Sequence, residues 1–313
     1  MPSRGSFSVA AKVTVVVLNW NKPDDTIECL ESCRKIDYPN YETLLVDNQS
    51  SDDSVARVKK SFPDQEIVEN PENLGYAGGN NAGIRVALAR GADYVFLLNN
   101  DVTVDPNVLT ELVRTFEKNP TAGIVAPQVL YYDDPATINS LGTSMDWLRM
   151  RPKLGYYQQK DSLSYPEVMP QEILLGAALM LSRRMLQTVG LIDEEFFIFH
   201  EEADWCFRSR KADFENLTAS KAVIYHKESK TMREFSTLTH YYSTRNFLYF
   251  TKKNANPAQW LQTRAGLLAL SAKHALKGFS KNEKERCLAS AYFYGVWDFW
   301  TGKMGKCQRG FGR

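Results

Sequence analysis

The stretch YVFLLNNDVTVD (residues 94–105) joins an apolar run to three polar side chains that could take part in chemistry. Its first five residues are apolar and lead directly into Asn99, Asn100 and Asp101, after which the chain becomes apolar again. Such an ending is typical either of a solvated turn or of a metal or phosphate site at the carboxyl end of a buried strand. The rest of the sequence has to distinguish these two interpretations.

Polar side chains also follow two other predicted strands. Asn19 and Trp20 come directly after the first strand, and Asp47 and Asn48 come after the second. In a parallel sheet, ligands gather at the carboxyl ends of the strands, so these side chains are expected along one rim with Asp101. Turn chemistry alone does not require Asn or Asp at three successive strand ends, which favours a binding site.

Short apolar, β-branched runs alternate with helical segments in the first half of the chain, a pattern that predicts right-handed crossovers and a mostly parallel sheet. The predicted strands are Val13–Leu18, Glu42–Val46, Glu66–Glu69, Tyr94–Leu98, Ile173–Leu181 and Ala222–Tyr225. The predicted helices are Asp24–Arg34, Asp52–Ser61, Tyr76–Arg90, Pro106–Lys118, 200–211, His240–Lys253, Pro257–Gly278 and Glu283–Trp300. Residues 131–170 contain four prolines and are predicted to be an irregular loop, which at this length is usually either functional or disordered.

Asp101 and His226 each follow a predicted strand and together offer one carboxylate and one imidazole. A divalent cation that also binds a diphosphate needs few protein ligands. This pair suits Mn²⁺ or Mg²⁺ better than zinc, whose sites usually take three or four protein ligands. By itself His226 is interpreted as structural, so the metal hypothesis depends on the two residues meeting.

Three acids, Glu201, Glu202 and Asp204, stand at the start of the predicted helix at 200–211. The helix dipole stabilises acids in the first turn, and Asp204 and Arg208 are expected to form a structural pair. Three carboxylates exceed what capping needs. One of them, placed in a cleft, could take a proton from a hydroxyl nucleophile.

The segment NPENLGYAGGNNAGI (residues 70–84) contains four glycines, three of them within the predicted helix Tyr76–Arg90. Glycine lowers helix propensity, so the concentration indicates close backbone approach, either to another element or to a ligand. The segment is neither a Walker loop nor a G-x-G-x-x-G turn.

Composition is that of a folded soluble protein, with 43% hydrophobic and 24% charged residues. Without a signal-peptide core or a run of about 18 apolar residues, we expect a cytoplasmic protein. Five cysteines fit a reducing compartment. Cys29 and Cys33 could be two zinc ligands, but no second Cys/His pair has matching spacing, which favours core packing.

Six segments, in this order, resemble the family 2 glycosyltransferases of GT-A fold, and among them the rhamnosyltransferase-like group. They are VTVVVLNWN (13–21), LLVDNQSSDDS (44–54), NPENLGYAGGNNAGI (70–84), FLLNNDVTVD (96–105), FFIFHEEADWCFRSRKA (196–212) and AVIYHKES (222–229). The resemblance implies a Rossmann-like GT-A catalytic domain over residues 1–235 that binds a nucleotide sugar, followed by a helical, basic and aromatic extension over 236–313.

The resemblance also implies roles for individual residues. Asn19 and Trp20 would border the nucleotide base, and Asp47 would hydrogen-bond it. Asp101 matches the last acid of the family's metal motif, and His226 matches the later metal ligand. The catalytic base would be Glu202, a glutamate where the family usually has aspartate, with Glu201 as the alternative. The remaining nucleotide-binding candidates are Asn48, Gly79, Asn80, Asn99 and Asn100.

The implied reaction is inverting transfer of a sugar from a dTDP- or UDP-sugar, possibly dTDP-rhamnose, to an acceptor hydroxyl of a cell-envelope glycan or lipid-linked saccharide, with Mn²⁺ or Mg²⁺. The alternative is a catalytically silent nucleotide-sugar-binding partner subunit. A nucleotidyltransferase would need a glycine- and basic-rich loop after the first strand, and NWNKPDD offers none.

The last 62 residues are strongly basic. Residues 252–313 carry twelve Lys/Arg and three Asp/Glu, a net charge of +9, and the remainder of the chain carries −8. Basic, aromatic helices of this kind either pack on the catalytic domain or lie peripherally on an anionic membrane, here its inner face. We see no nucleic-acid-binding motif, and an oligomer is compatible with the sequence.

Overall fold

A computed structural model describes residues 10–161, 165–227 and 236–311 of the 313-residue chain. Its central strand, β1 (Val13–Asn19), is almost entirely buried, as its run of β-branched residues requires. The alternate residues Val13, Val15 and Val17 face one hydrophobic core, and Val16 faces a second. The sheet is therefore covered by helices on both sides.

Strands and helices alternate up to the middle of the chain, except that β4 is followed directly by the short strand β5. They are β1 (Val13–Asn19), α1 (Pro23–Cys33), β2 (Tyr41–Asp47), α2 (Ser54–Ser61), β3 (Ile67–Glu69), α3 (Gly75–Ala89), β4 (Tyr94–Asn99), β5 (Val102–Val104), α4 (Val108–Lys118) and β6 (Ala122–Tyr131).

The second half begins with short strands and ends in three helices. Its elements are β7 (Ile138–Ser140), β8 (Thr143–Asp146), β9 (Arg151–Leu154), β10 (Val168–Pro170), β11 (Ala178–Ser182), α5 (Arg183–Val189), a 3₁₀ turn (Glu194–Phe196), α6 (Glu201–Lys211), β12 (Glu215–His226), α7 (Ser236–Asn254), α8 (Pro257–Gly278) and α9 (Glu283–Thr301).

The main sheet has the strand order β10-β12-β6-β11-β4-β1-β2-β3. Strand β1 pairs in parallel with β2 and β4, whereas β11 runs antiparallel to both β4 and β6. The short strand β5 pairs antiparallel with the end of β12, so that Val102 lies opposite His226. This pairing brings Asp101, which lies between β4 and β5, close to His226, the last residue of β12.

The predicted α/β sheet with flanking helices is confirmed, and three local predictions were wrong. The strand predicted at Ile173–Leu181 begins only at Ala178, because the chain turns at Gly176, whose carbonyl accepts the Tyr76 hydroxyl at 2.6 Å. The strand predicted at Ala222–Tyr225 is the end of a twelve-residue strand. Residues 131–170 are not wholly irregular, since they form the short strands β7 to β10.

The three C-terminal helices pack on each other and on the sheet domain. Helix α9 lies against α7, with Gly295 close to the Tyr241 carbonyl, and α7 lies against α6. Helix α8 approaches the β8–β9 hairpin at Gly266, where an added Cβ would lie 2.2 Å from the Leu148 carbonyl. None of the helices built from described residues has both the length and the apolar composition needed to span a membrane.

Candidate active site

Three polar strand ends meet at one edge of the sheet. In the parallel register Asn19 lies opposite Asp47, and Leu18 lies opposite Asn99. The strands end together because β1, β2 and β4 are in parallel register. The convergence that the sequence predicted at this rim is thus present in the structure.

Asn19 connects the loops that follow these strands. Its amide nitrogen donates to Asp47 Oδ1 (2.7 Å) and to the Ser50 hydroxyl (3.0 Å). Its oxygen accepts from the Thr26 hydroxyl (2.6 Å) and from Asn100 Nδ2 (3.1 Å). The side chain is fully buried, and these four bonds use all of its hydrogen-bonding capacity. Asn19 therefore orders the rim from within.

Asp47 and Trp20 flank Asn19. Asp47 is nearly buried, and its Oδ2 accepts from the backbone N–H of Ser50 (2.9 Å) while its Oδ1 accepts from Asn19 and from the Ser50 hydroxyl. A carboxylate has about four acceptor sites, so Oδ2 retains room for another donor. Trp20, the residue after Asn19, is 40% exposed.

The side chain of Asn48 makes its hydrogen bonds to the loop that precedes α3. Its nitrogen donates to Asn73 Oδ1 (3.1 Å) and to the Gly75 carbonyl (2.9 Å). Its oxygen accepts from Asn70 Nδ2 (3.2 Å) and from the Leu74 N–H (3.0 Å). The carboxamide of Asn48 thus shapes the loop at 70–75.

The α3 glycines approach other protein elements closely. A Cβ at Gly83 would lie 2.3 Å from Val16 Cγ1, and one at Gly79 would lie 2.6 Å from Leu18 Cδ1. Of the two alternatives left open by the sequence, packing against another element accounts for both positions. Asn80, one residue on, is buried, and its oxygen has no partner among the described residues.

Asp101 and His226 are brought together at the rim. His226 Nε2 lies 3.4 Å from Asp101 Oδ1, and both side chains are mostly buried. The β5–β12 pairing causes this contact, and the Lys227 N–H reinforces it by donating to the Asp101 carbonyl (3.0 Å). The last two residues of the AVIYHKES segment (222–229) lie outside the described residues.

The amides Asn99 and Asn100 precede Asp101. Asn100 Nδ2 donates to Asn19 Oδ1, to the Asn21 carbonyl and to the Thr26 hydroxyl, at 3.0–3.2 Å. Asn99 is half-buried at the end of β4. Asn100 therefore helps to hold the loop after β1 beside Asp101.

The Lys227 ammonium is a basic group next to the Asp101–His226 pair. Its Nζ lies 2.6 Å from Asp25 Oδ1 and 2.5 Å from Glu28 Oε2, both on α1. We did not predict a role for it. Its position directly after His226 was the one available signal.

The two carboxylates at the start of α6 differ in exposure. Glu201 is buried, and its Oε2 has no hydrogen-bond partner among the described residues. Glu202 is half-buried and lines a cleft with His200, Thr143 of β8 and Leu154 of β9. Burial raises the pKa of both carboxyl groups, and for Glu201 the neighbouring Glu202 raises it further. Of the two glutamates, Glu202 is therefore the more exposed and the one that lines the cleft.

Tyr76 and His200 lie near these carboxylates, and the sequence predicted no role in the site for either of them. Burial and the charges of both glutamates raise the pKa of Tyr76, so its hydroxyl stays protonated beside them. Burial lowers the pKa of His200 to about 4, which keeps the imidazole neutral at physiological pH. Asp204 pairs with Arg208 (2.8 Å), the structural role that the sequence predicted.

No group of three or more His, Cys, Asp or Glu side chains within residues 10–161, 165–227 and 236–311 is arranged to hold a metal ion. Cys29 and Cys33 lie on α1 and are buried in the core, which fits the packing interpretation.

Solved structures of two other proteins are similar to this chain over 93% of its length. One is a Pyrobaculum calidifontis mannosyltransferase, PcManGT, in complex with GDP-Man and Mn²⁺, with a TM-score of 0.59 and 17% identity over 88% of that chain. The other is GalNAc-T7 with UDP, GalNAc and Mn²⁺, with a TM-score of 0.65 and 14% identity over 57% of that chain. The protein has the GT-A fold.

A model of the family described as Glycosyl transferase family 2 matches residues 14–171, just over half of the 313 residues. The chain belongs to glycosyl transferase family 2.

Curated relatives of the chain include two enzymes named for sugar transfer. It is 24% identical over 68% of its length to the Low-salt glycan biosynthesis hexosyltransferase Agl10 of Haloferax volcanii, of which the alignment spans 65%. It is 25% identical over 78% of its length to the N-acetylglucosaminyl-diphospho-decaprenol L-rhamnosyltransferase of Mycobacterium tuberculosis, of which the alignment spans 86%. The chain thus spans less than two thirds of the Haloferax relative and 86% of the mycobacterial one.

A third relative comes from Shigella flexneri. The chain is 21% identical over 63% of its length to the dTDP-rhamnosyl transferase RfbF, of which the alignment also spans 63%.

Proposed function

We propose that this protein is an inverting, divalent-metal-dependent enzyme that transfers a sugar from a dTDP- or UDP-sugar to a hydroxyl of a cell-envelope glycan or lipid-linked saccharide. The contact between Asp101 and His226 carries the proposal, because it joins a carboxylate and an imidazole at the strand ends where the nucleotide is expected. Similarity to two proteins named as rhamnosyltransferases makes dTDP-rhamnose the first donor to test.

The residues at the rim fit Mn²⁺ or Mg²⁺. His226 Nδ1 is buried without a hydrogen-bond partner among the described residues, so the ring is not committed to a structural bond through that atom. Asp101 and His226 would hold the cation, and donor phosphate oxygens would complete its shell. When bound, the cation would neutralise negative charge on the leaving diphosphate.

The nucleoside would lie over β1 and β2. Trp20 offers an exposed ring for the base, and Asp47 Oδ2 has acceptor capacity left for a base N–H. Asn19, Asn48 and Asn100 act from inside the protein by fixing the loops around this pocket. We retain Gly79, Asn80 and Asn99 as lining candidates on the same side.

Glu202 is the proposed general base. The acceptor oxygen attacks the anomeric carbon and forms the new glycosidic bond as the bond from that carbon to the diphosphate oxygen breaks. The hydroxyl proton goes to Glu202, and the diphosphate leaves with the electron pair. Positioning and electrostatics supply most of the acceleration in such a displacement. A small cavity of about 40 Å³ between Glu202 and the β8–β9 hairpin marks the side from which we propose that the acceptor hydroxyl approaches.

A donor screen tests this proposal. We expect dTDP-rhamnose or a UDP-hexose to raise the melting temperature in the presence of Mn²⁺ by more than either component alone, because a ligand that binds only the folded state stabilises it. Hydrolysis of the donor that stabilises the protein is then monitored by measuring the nucleotide that is released. Binding without turnover of any donor would favour the silent partner subunit instead.

We propose that the catalytic domain ends at residue 235. Residues 1–235 would form the nucleotide-sugar-binding domain, with 236–313 as its helical extension. Helix α7 lies against α6, next to the proposed base, so this part of the extension would support the catalytic domain.

We also propose that α8 and α9 bring the enzyme to an anionic membrane surface. On α9, Trp297 and Trp300 are 60% and 64% exposed and lie with Phe293 beside a shallow apolar groove. Helix α8 exposes Leu268 and Leu276, carries three basic residues and no acid, and is followed by Phe279, which is 90% exposed. Exposed aromatic and leucine side chains with basic neighbours are typical of helices that lie in the membrane interface.

Replacing both exposed tryptophans tests the membrane proposal. The double variant Trp297→Ser/Trp300→Ser is expected to bind vesicles containing phosphatidylglycerol at least about tenfold more weakly, since burying each large apolar side chain contributes about 1.5–3 kcal/mol. Co-sedimentation measures the affinity. The double variant Tyr156→Ser/Tyr157→Ser, which changes exposed rings elsewhere, is the matched control. Equal sedimentation of the tryptophan variant and wild type would contradict the proposal.

A further inference from the structure

The segment before Glu201 and Glu202 has an unfavourable backbone. Phe197, Phe199 and His200 have φ values of 64°, 73° and 69°. Residues that carry a side chain rarely adopt this left-handed region. The chain enters α6 directly from His200, so the position of the carboxylates depends on this conformation being held. Contacts from elsewhere in the fold must hold it.

Asn246 of α7 bonds to the backbone of this segment. Its side-chain nitrogen donates to the carbonyls of Phe196 (2.7 Å), Ile198 (2.7 Å) and Phe199 (3.1 Å). The residue is fully buried. One carboxamide thus holds three carbonyls of the turn. Formation of α7 itself does not require an asparagine at this position.

Arg245 completes the same contact. It is also fully buried, and its Nε donates to Asn246 Oδ1 at 2.9 Å, which orients the carboxamide. Its Nη2 donates to the Phe196 carbonyl (3.2 Å), and its Nη1 donates to the Gly305 carbonyl beyond α9 (2.8 Å). The Gly305 N–H in turn donates to the Glu195 carbonyl (2.8 Å). Arg245 therefore ties the turn to the chain that follows the last helix.

The same face of α7 holds the turn on both sides. The His200 ring packs on Phe247 and Phe250, with ring centroids 5.4 and 6.3 Å apart. Lys253 Nζ lies 2.6 Å from Asp193 before the turn and 3.0 Å from Asp204 within α6. Contacts to α7 thus begin before the strained residues and continue after the carboxylates.

We propose that Asn246, oriented by Arg245, is a positioning residue that holds residues 196–200 so that Glu202 points into the cleft. The proposal rests on the proposed function, in which Glu202 is the general base. Asn246 touches neither substrate nor cofactor in this arrangement and acts through the backbone alone.

The test compares Asn246→Ala with Thr251→Ala in the full-length protein. Thr251 is a matched control because it is buried on the same helix, and among the described residues its hydroxyl bonds only to the Phe247 carbonyl of that helix. We expect Asn246→Ala to lower kcat about 10- to 100-fold, the scale of a misplaced catalytic group, with the donor KM unchanged. Hydrogen exchange of the peptide spanning 196–204 should accelerate in Asn246→Ala and stay unchanged in Thr251→Ala.

A pH profile adds a readout that a general loss of stability would not move. Burial raises the pKa of Glu202, and the groups facing it are Glu201, His200, Tyr76 of α3 and Cys206 of α6. Loosening the turn would let water reach the carboxylate and lower its pKa towards the usual range. The acidic limb of kcat should then move to lower pH in Asn246→Ala.

Each outcome is decisive. The proposal would be overturned if a folded Asn246→Ala protein had the wild-type kcat, the wild-type acidic limb of the pH profile and the wild-type rate of hydrogen exchange. It would also be overturned if kcat fell while the acidic limb and the exchange rate stayed as in wild type. If Asn246→Ala does not fold, Asn246→Ser, which keeps one donor, is judged by the same criteria. If the wild type transfers no sugar, the proposed function fails separately, and the exchange measurement alone decides whether Asn246 holds the turn.

Discussion

The variant Glu202→Gln is expected to bind the donor as tightly as wild type and to lose sugar transfer by about 100- to 10,000-fold, the usual contribution of general acid–base catalysis. Glutamine keeps the size of the side chain but cannot accept the acceptor's proton. Donor affinity should be kept because the nucleotide is proposed to lie at the strand ends, not at the start of α6. Calorimetric titration of the nucleotide and a product assay measure the two effects.

The matched control is Glu201→Gln, one residue earlier in the same helix. Glu201 is 4% exposed and lies deeper than Glu202. Its replacement should leave most of the transfer activity, because a carboxylate that does not reach the cleft cannot take the proton. If Glu202→Gln transfers sugar at the wild-type rate while Glu201→Gln does not, then Glu201 is the base and our assignment is wrong.

The pH dependence of wild-type transfer follows from the same assignment. Burial raises the pKa of Glu202 above its usual range, and only the ionised form can act as a base. Transfer should therefore fall as the pH drops through this raised pKa, and the acidic limb should disappear from whatever residual rate Glu202→Gln retains.

The second large effect is expected for Asp101→Ala. Removing this carboxylate leaves His226 as the one proposed protein ligand, so metal-dependent donor binding should weaken by more than the 10- to 100-fold typical of losing an outer-shell partner. The measurement is the donor affinity with and without Mn²⁺. In wild type the metal should strengthen binding, and in Asp101→Ala it should have no effect.

Asp105→Ala is the control for that experiment, since Asp105 lies in the same NNDVTVD stretch but caps the loop before α4 through the Asn107 N–H (2.9 Å). It should respond to Mn²⁺ as wild type does. Undiminished metal-dependent binding by Asp101→Ala would remove Asp101 from the site.

The rim of the site could be predicted from the sequence because it depends on simple rules. A β-branched apolar run such as residues 13–18 must be a buried strand, and the polar residue that ends such a strand must lie at the sheet edge. Asp101 and His226 follow the same rule. The β5–β12 pairing that brings them to 3.4 Å was not predicted, because β5 has only three residues.

Strand β12 shows why other elements escaped prediction. Only its last residues have an apolar pattern, whereas Glu215, Asn216 and Lys221 are residue types that are typical of loops. A register shift between Ala219 and Val223 also interrupts the alternation along the strand. Pairing with β6 over most of its length supplies the order that local propensity does not.

The role of Asn246 could not be derived from its neighbours in the sequence. Its partners are backbone carbonyls of residues 196–199, about fifty positions away, and a carbonyl has no residue type that a sequence pattern can reveal. The sequence predicted the helix His240–Lys253, but it did not predict which face of that helix would be buried.

Pulsed electron paramagnetic resonance of Mn²⁺ bound with UDP or dTDP tests the metal site most directly. The chain has four histidines, at 200, 226, 240 and 274, and only His226 lies beside Asp101 in this account. Wild type should show coupling of the Mn²⁺ electron spin to an imidazole nitrogen, and His226→Gln should lose it. Absence of that coupling in wild type, or its persistence in His226→Gln, would contradict the account.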